Sequence, residues 1–143
     1  MLKSCQYCGR IHDSKIICEE KESTIKMRRR KKYNNIERFR GTKAWKDKRQ
    51  EIKERDSCTC QICIRGLYDP ERIFETEDLS VHHAIPIEQD YNKRLDNDNL
   101  ITGCEKHHEM MEDGTIPYEI VRNIIDEQEA KVSIPPGVCT LAN

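Results

Sequence analysis

The chain is poor in aromatic residues and has no long apolar run. One Trp, two Phe and five Tyr make up 6% of its 143 residues, whereas 36% carry a charge. No stretch approaches the roughly 18 apolar residues that span a bilayer, which excludes a membrane-spanning helix. The N-terminal MLKSCQYC is not built like a secretory signal, so a cytoplasmic location is expected. No internal repeat is visible. With so little apolar material the core must be small, and such chains draw on metals or disulfides as staples.

Against this poverty stand eight cysteines, at positions 5, 8, 18, 58, 60, 63, 104 and 139. In a reducing cytosol, paired cysteines read as metal ligands rather than as disulfides. The length fits one domain with a small accessory module.

The net charge of -1 conceals a strong segregation. Lys26 to Arg55 holds 14 Lys or Arg against 4 Asp or Glu, a net of +10, and the remainder holds 11 against 22. The run KMRRRKK at 26–32 would repel itself unless something neutralised it, which points to an anionic partner.

Four stretches follow from local chemistry. Residues 1–22 form a Cys-rich head, and 23–41 a basic linker or arm, helical in part. Residues 42–131 form the main domain, and 132–143 an extended or loose tail. Thr42 can cap a helix ending near Asp56, with Trp45, Arg49 and Ile52 on one side. Gly66 marks a tight turn after the paired cysteines. The stretch RIFETEDLSVHHAIPI alternates as strand, turn and strand, stopped by Pro86. A polar loop then leads to a short strand, LIT. CEKHHEMMEDG reads as a short helix closed by Gly114. Pro117 opens a last helix with an apolar stripe of Ile120, Val121, Ile124 and Ile125.

Two constellations have the spacing of zinc sites. Cys60-x2-Cys63 and Cys104-x2-His107 are two turns, each able to present two donors to one tetrahedral ion. The loop between them would then be pinned at its base, adding metal affinity to folding. Cys58 competes with Cys60, but its spacing to Cys63 is less usual. In the head, Cys5, Cys8, His12 and Cys18 resemble a compact zinc knuckle.

His82, His83 and His108 remain. VHHAIPI, LDNDNLITGC and the second HH together resemble the His-Asn-His (HNH) nuclease family. KAWKDKRQEIKERDSCTCQIC resembles the basic helix and first cysteine pair of many bacteriophage members. The likeness covers residues 39–112 well. It implies an α+β fold: a zinc-stabilised ββα-metal core with flanking helices. It implies that His82 and His108 ligate a divalent ion (Mg²⁺, Mn²⁺ or Ni²⁺), that His83 is the general base, and that Asn99 holds the base in position. Glu112, where some members carry a further His, is a third candidate ligand.

The implied activity is a metal-dependent DNA endonuclease leaving 5′-phosphate and 3′-hydroxyl ends by nicking or double-strand cleavage. Duplex DNA is the implied substrate, with Arg28, Arg29, Arg30, Lys46, Arg49 and Lys53 on its phosphates. The similar phage proteins are often encoded beside packaging genes, which implies terminase subunits as partners and the cytoplasm of an infected bacterium as the location. Two other readings stand beside it. One is a zinc-stabilised DNA-binding adaptor with a degenerate nuclease site, and the other is an RNA-binding knuckle protein.

Overall fold

The structure, a computed structural model, describes residues 1–132; the expected tail from 133 on, with Cys139, lies outside the described residues. Two compact units divide the chain, one of them Met1–Gly41 and the other beginning at Thr42.

In the first unit, β1 (Leu2–Ser4) and β2 (Ile11–Asp13) form an antiparallel hairpin in which Lys3 pairs with His12. Cys18 is the N-cap of a 22-residue helix, α1 (Glu19–Arg40). The segment expected to be a linker or arm is therefore helical as far as Arg40, and its helix begins inside the head. The reason lies in the residue types: α1 contains no Gly or Pro, and Arg, Lys and Glu are good helix formers. Glu19, Glu20 and Glu22 at its start and Arg38 and Arg40 at its end also match the helix dipole.

The second unit opens with α2 (Lys43–Arg55), capped by the Thr42 side chain accepting the Trp45 N–H at 3.2 Å. Trp45 and Ile52 are its buried positions. The following turn places Ser57 and Cys58 at φ 56° and 52° and ends at Gly66, where φ is +65°. Next come β3 (Ser80–His83), β4 (Leu100–Gly103), α3 (Glu105–Glu112) and α4 (Tyr118–Ala130). β3 and β4 are antiparallel, pairing His82 with Ile101 and His83 with Leu100. Gly114, at φ +82°, turns the chain out of α3.

The strand expected ahead of β3 does not form. Ile73 and Phe74 are 47% and 72% exposed, so the alternation there has no buried face to fill. Glu75 instead gives its carbonyl to the Cys60 N–H at 2.9 Å, tying the segment to the cysteine turn. Among the described residues, β3 pairs with β4 alone.

The apolar core gathers Ile62, Ile101, Met111, Ile116, Val121, Ile124 and Ile125. Beside it lies a buried ion pair. Arg55 donates to both carboxylate oxygens of Asp56, at 2.8 and 3.1 Å. Asp56 also accepts from the Thr102 N–H at 2.8 Å and from Gln128 at 3.2 Å. Arg55 further donates to the carbonyls of Asn97 and Leu100 and to Glu129. The pair thus ties the end of α2 to β4 and α4. None of the described helices is long and apolar enough to cross a membrane.

Candidate metal centres

Three groups of ligating side chains are brought together, each with its donor atoms within 4.8 Å of one another. The buried one joins Cys60, Cys63, Cys104 and His107. Nδ1 of His107 lies 3.5, 3.2 and 3.3 Å from the three sulfurs, and Cys63 and Cys104 are 3.9 Å apart. A tetrahedral zinc, with bonds of about 2.3 Å to sulfur and about 2.0 Å to nitrogen, asks for about 3.5 Å N···S and about 3.8 Å S···S. The donor set therefore fits zinc in chemistry and spacing.

Local structure explains how four residues so far apart in sequence converge. The Gln61 N–H donates to the Thr102 carbonyl at 3.1 Å and docks the cysteine turn on β4. Cys104 is the N-cap of α3, and His107 lies in its first turn. Nε2 of His107 donates to the Tyr68 carbonyl at 3.2 Å, which leaves the Nδ1 lone pair for the sulfurs. Burial, then the neighbouring Cys60, pushes the Cys63 thiol up, and burial does the same for Cys104. Thiolates crowded there without a cation would be costly.

In the head, Cys5, Cys8, His12 and Cys18 form a half-buried cluster. Cys5 and Cys18 are 3.7 Å apart, and Cys8 lies 3.5 Å from Nε2 of His12. Nδ1 of His12 donates to the Asp13 carbonyl at 3.1 Å. His12 thus offers the ring nitrogen that His107 withholds. The N–H groups of Cys8 and Tyr7 pull the Cys5 thiol down to about 6. The Asp13 carbonyl, then the Cys8 and Cys5 sulfurs, raises His12 to about 9. A cation taking the place of that imidazole proton suits this set as well.

The third group is His82, His108 and Glu112. Neighbours on a strand point to opposite faces. His82 meets His108 of α3, the rings edge to face with centroids 5.2 Å apart. Glu112, one turn further along α3, places Oε1 3.8 Å from Nδ1 of His108. Burial first, then His108 and His83, lowers the His82 imidazole to about 4, so its lone pair is available near neutral pH. Two imidazoles and a carboxylate could hold a divalent ion.

His83 faces elsewhere. Its Nε2 donates to the Arg94 carbonyl at 3.0 Å, and its ring stacks on Trp45 at 4.8 Å with 23° between the planes. That hydrogen bond puts the proton on Nε2 and makes Nδ1 the basic nitrogen. Asn99, expected to hold this imidazole, bonds to backbone instead. Its Oδ1 accepts the Ile85 N–H at 2.7 Å, and its Nδ2 donates to the carbonyls of Ile85 and Lys93 at 3.1 and 3.2 Å. Asn99 closes the loop that carries Arg94, and the Arg94 carbonyl meets the ring. Sequence reading missed Arg94 because the contributing atom belongs to the backbone. Trp45 was legible only as one residue of a helix side shared with Arg49 and Ile52.

The basic residues divide between the units. Arg28, Arg29 and Arg30 are exposed on α1; on α2, Lys46 is exposed and Arg49 and Lys53 are half-buried. Burial, then Arg49, lowers the Lys53 amine below its ordinary value. Part of the segment's charge is neutralised at short range, as in Lys43–Asp47 at 2.7 Å and Arg55–Asp56 at 2.8 Å. Cys58 stands outside the three clusters and is disulfide-bonded, which departs from the expectation of reduced thiols alone.

A hairpin with paired histidines, packed on a helix that adds a third histidine and a carboxylate, forms a ββα unit whose side chains could hold a metal ion. Residues 60–114, which include that unit and the buried Cys3His cluster, match the family model of the HNH endonucleases. No curated protein and no solved structure gives a match to the chain.

Proposed function

We propose that the protein is a metal-dependent endonuclease that hydrolyses DNA phosphodiesters to 5′-phosphate and 3′-hydroxyl ends. The observation that carries this reading is the divergence of two adjacent side chains. His82 turns toward His108 and Glu112, whereas His83 turns to the Arg94 carbonyl and Trp45.

In this reading Nδ1 of His83 takes a proton from a water molecule, whose oxygen forms a bond to phosphorus as the bond to O3′ breaks. One water is consumed, and O3′ leaves as a hydroxyl after taking a proton from solvent. A divalent ion held by His82, His108 and Glu112 would supply Lewis-acid stabilisation to the charge gathering on phosphate and leaving oxygens. Cys60, Cys63, Cys104 and His107 hold a structural zinc that fixes α3 against the hairpin. Cys5, Cys8, His12 and Cys18 hold a second zinc.

Arg28, Arg29, Arg30, Lys46, Arg49 and Lys53 hold duplex phosphates before chemistry begins. Replacing the three arginines by Ala should lower the salt slope of DNA binding by about 2–3, since each phosphate contact contributes about 0.9. One site per chain cuts one strand, so a single chain nicks. On the resemblance to phage proteins alone, the setting is terminase-dependent processing of DNA in an infected bacterial cytoplasm. Stimulation of terminase cleavage by the wild type, and none by His83→Ala, would test that setting.

The deciding experiment incubates supercoiled plasmid with Mg²⁺, Mn²⁺ or Ni²⁺. The wild type should nick it, His83→Ala should not, and His108→Ala should also lose Mn²⁺ binding in a calorimetric titration. Glu112→Gln should keep cutting with a weaker ion. Plasmid retarded but uncut by the wild type with all three ions would replace the enzyme with a DNA-binding adaptor.

A further inference from the structure

We propose that Trp45 is a positioning residue for His83, fixing the plane of the imidazole that the Arg94 carbonyl fixes in direction. The inference deepens the reading above and rests on His83 being the general base. Trp45 is the sole tryptophan of the chain. It is 6% exposed, yet it lies outside the main apolar cluster of its unit. Its own N–H is held by the Thr42 cap, so the indole leaves α2 from an anchored first turn.

The geometry supplies what one hydrogen bond cannot. A bond from Nε2 to a carbonyl aims one ring nitrogen and leaves the ring able to roll about that axis. An indole nearly parallel to the ring at 4.8 Å removes the roll. The two restraints together aim Nδ1 in one direction. A general base needs that, because misplacement by about 1 Å can cost about a hundredfold in rate.

The test uses full-length protein with zinc content and melting checked, comparing Trp45→Phe with Trp45→Leu in a nicking assay. Leu should lower kcat about tenfold or more with KM within about twofold, and Phe, which can stack, should restore most of the rate. In a His83→Ala background, Trp45→Leu should change the residual rate no further, because the two residues act as one unit. A full additive loss there, or an effect on KM alone, would overturn the proposal.

A second readout needs no cleavage. The Nε2-bound proton of His83 should be visible by ¹⁵N-edited NMR in the wild type and in Trp45→Phe, and exchange-broadened in Trp45→Leu. Its survival in the Leu variant would overturn the positioning role. A wild type that never cuts, with the proton behaving as expected, would remove the hydrolytic reading and leave the restraint standing.

Discussion

The side-chain amide of Asn99 grips Ile85 at both backbone groups, accepting its N–H at 2.7 Å and donating to its carbonyl at 3.1 Å. A buried Asn that satisfies itself on backbone acts as a clasp. Here the clasp shuts the loop whose Arg94 carbonyl holds His83.

Asn99→Ala should therefore act at a distance. Three part-buried hydrogen bonds go, leaving Ile85 and Lys93 groups without their Asn99 partner, and stability should fall by about 1–3 kcal/mol. The nicking rate should fall at least about a hundredfold while DNA affinity stays within about twofold. Plasmid cleavage beside a gel-shift titration and a urea melt would check this. A variant that cuts normally would detach the clasp from the base.

Zinc removal should unfold the second unit. A structural zinc contributes about 10–16 kcal/mol of apparent binding energy, as much as a small domain's whole stability. Elemental analysis should give two zincs per chain. Cys8→Ala should keep one zinc and a folded second unit, whereas Cys104→Ala should fail to fold. Circular dichroism during chelator titration reports the loss.

Acid should weaken the fold through His82. Its imidazole sits at about 4 in the folded chain against an ordinary 6.5, so the unfolded chain takes up a proton first. The contribution is present above about 6.5 and is lost as pH falls toward 4, amounting to about 2–3 kcal/mol. Urea melts at pH 7.5 and 4.5, with no divalent ion added, should show a smaller acid loss for His82→Gln than for the wild type. Equal losses would remove His82 as the cause.

The Arg55–Asp56 pair should be unforgiving of half-removal. Arg55→Leu or Asp56→Ala leaves an uncompensated buried charge and should cost about 3–5 kcal/mol. Replacing both with apolar residues should cost less than the sum of the single changes. Denaturant unfolding of the four proteins measures the coupling.

How much of this was legible in the sequence follows from the range of each interaction. The Thr42 cap and the end of α2 near Asp56 are set within a few residues, and the helix forms as its local chemistry indicates. The cysteine spacing revealed two donor sets because the ligands come as paired turns. The strand expected around Ile73 failed because alternation does not say whether a partner edge exists, and β4 has its neighbour in β3. Asp56 looked like a helix terminator, and only the tertiary fold makes it the acceptor for Arg55, Thr102 and Gln128. The stack of Trp45 on His83 joins a helix to a strand well separated in the chain, and no local pattern encodes it.

His107 and His108 are consecutive on α3, yet they serve different clusters, about 100° apart around the helix axis. One short rod therefore carries donors for two candidate ion sites on either side of a single peptide bond. Any thiol chemistry that loosens its buried end, such as oxidation of Cys104, would swing the exposed end out of register with His82. If the chain cuts DNA as proposed, cutting and the fold of the second unit should then be lost together, so nicking and circular dichroism should fall in step as oxidant is added.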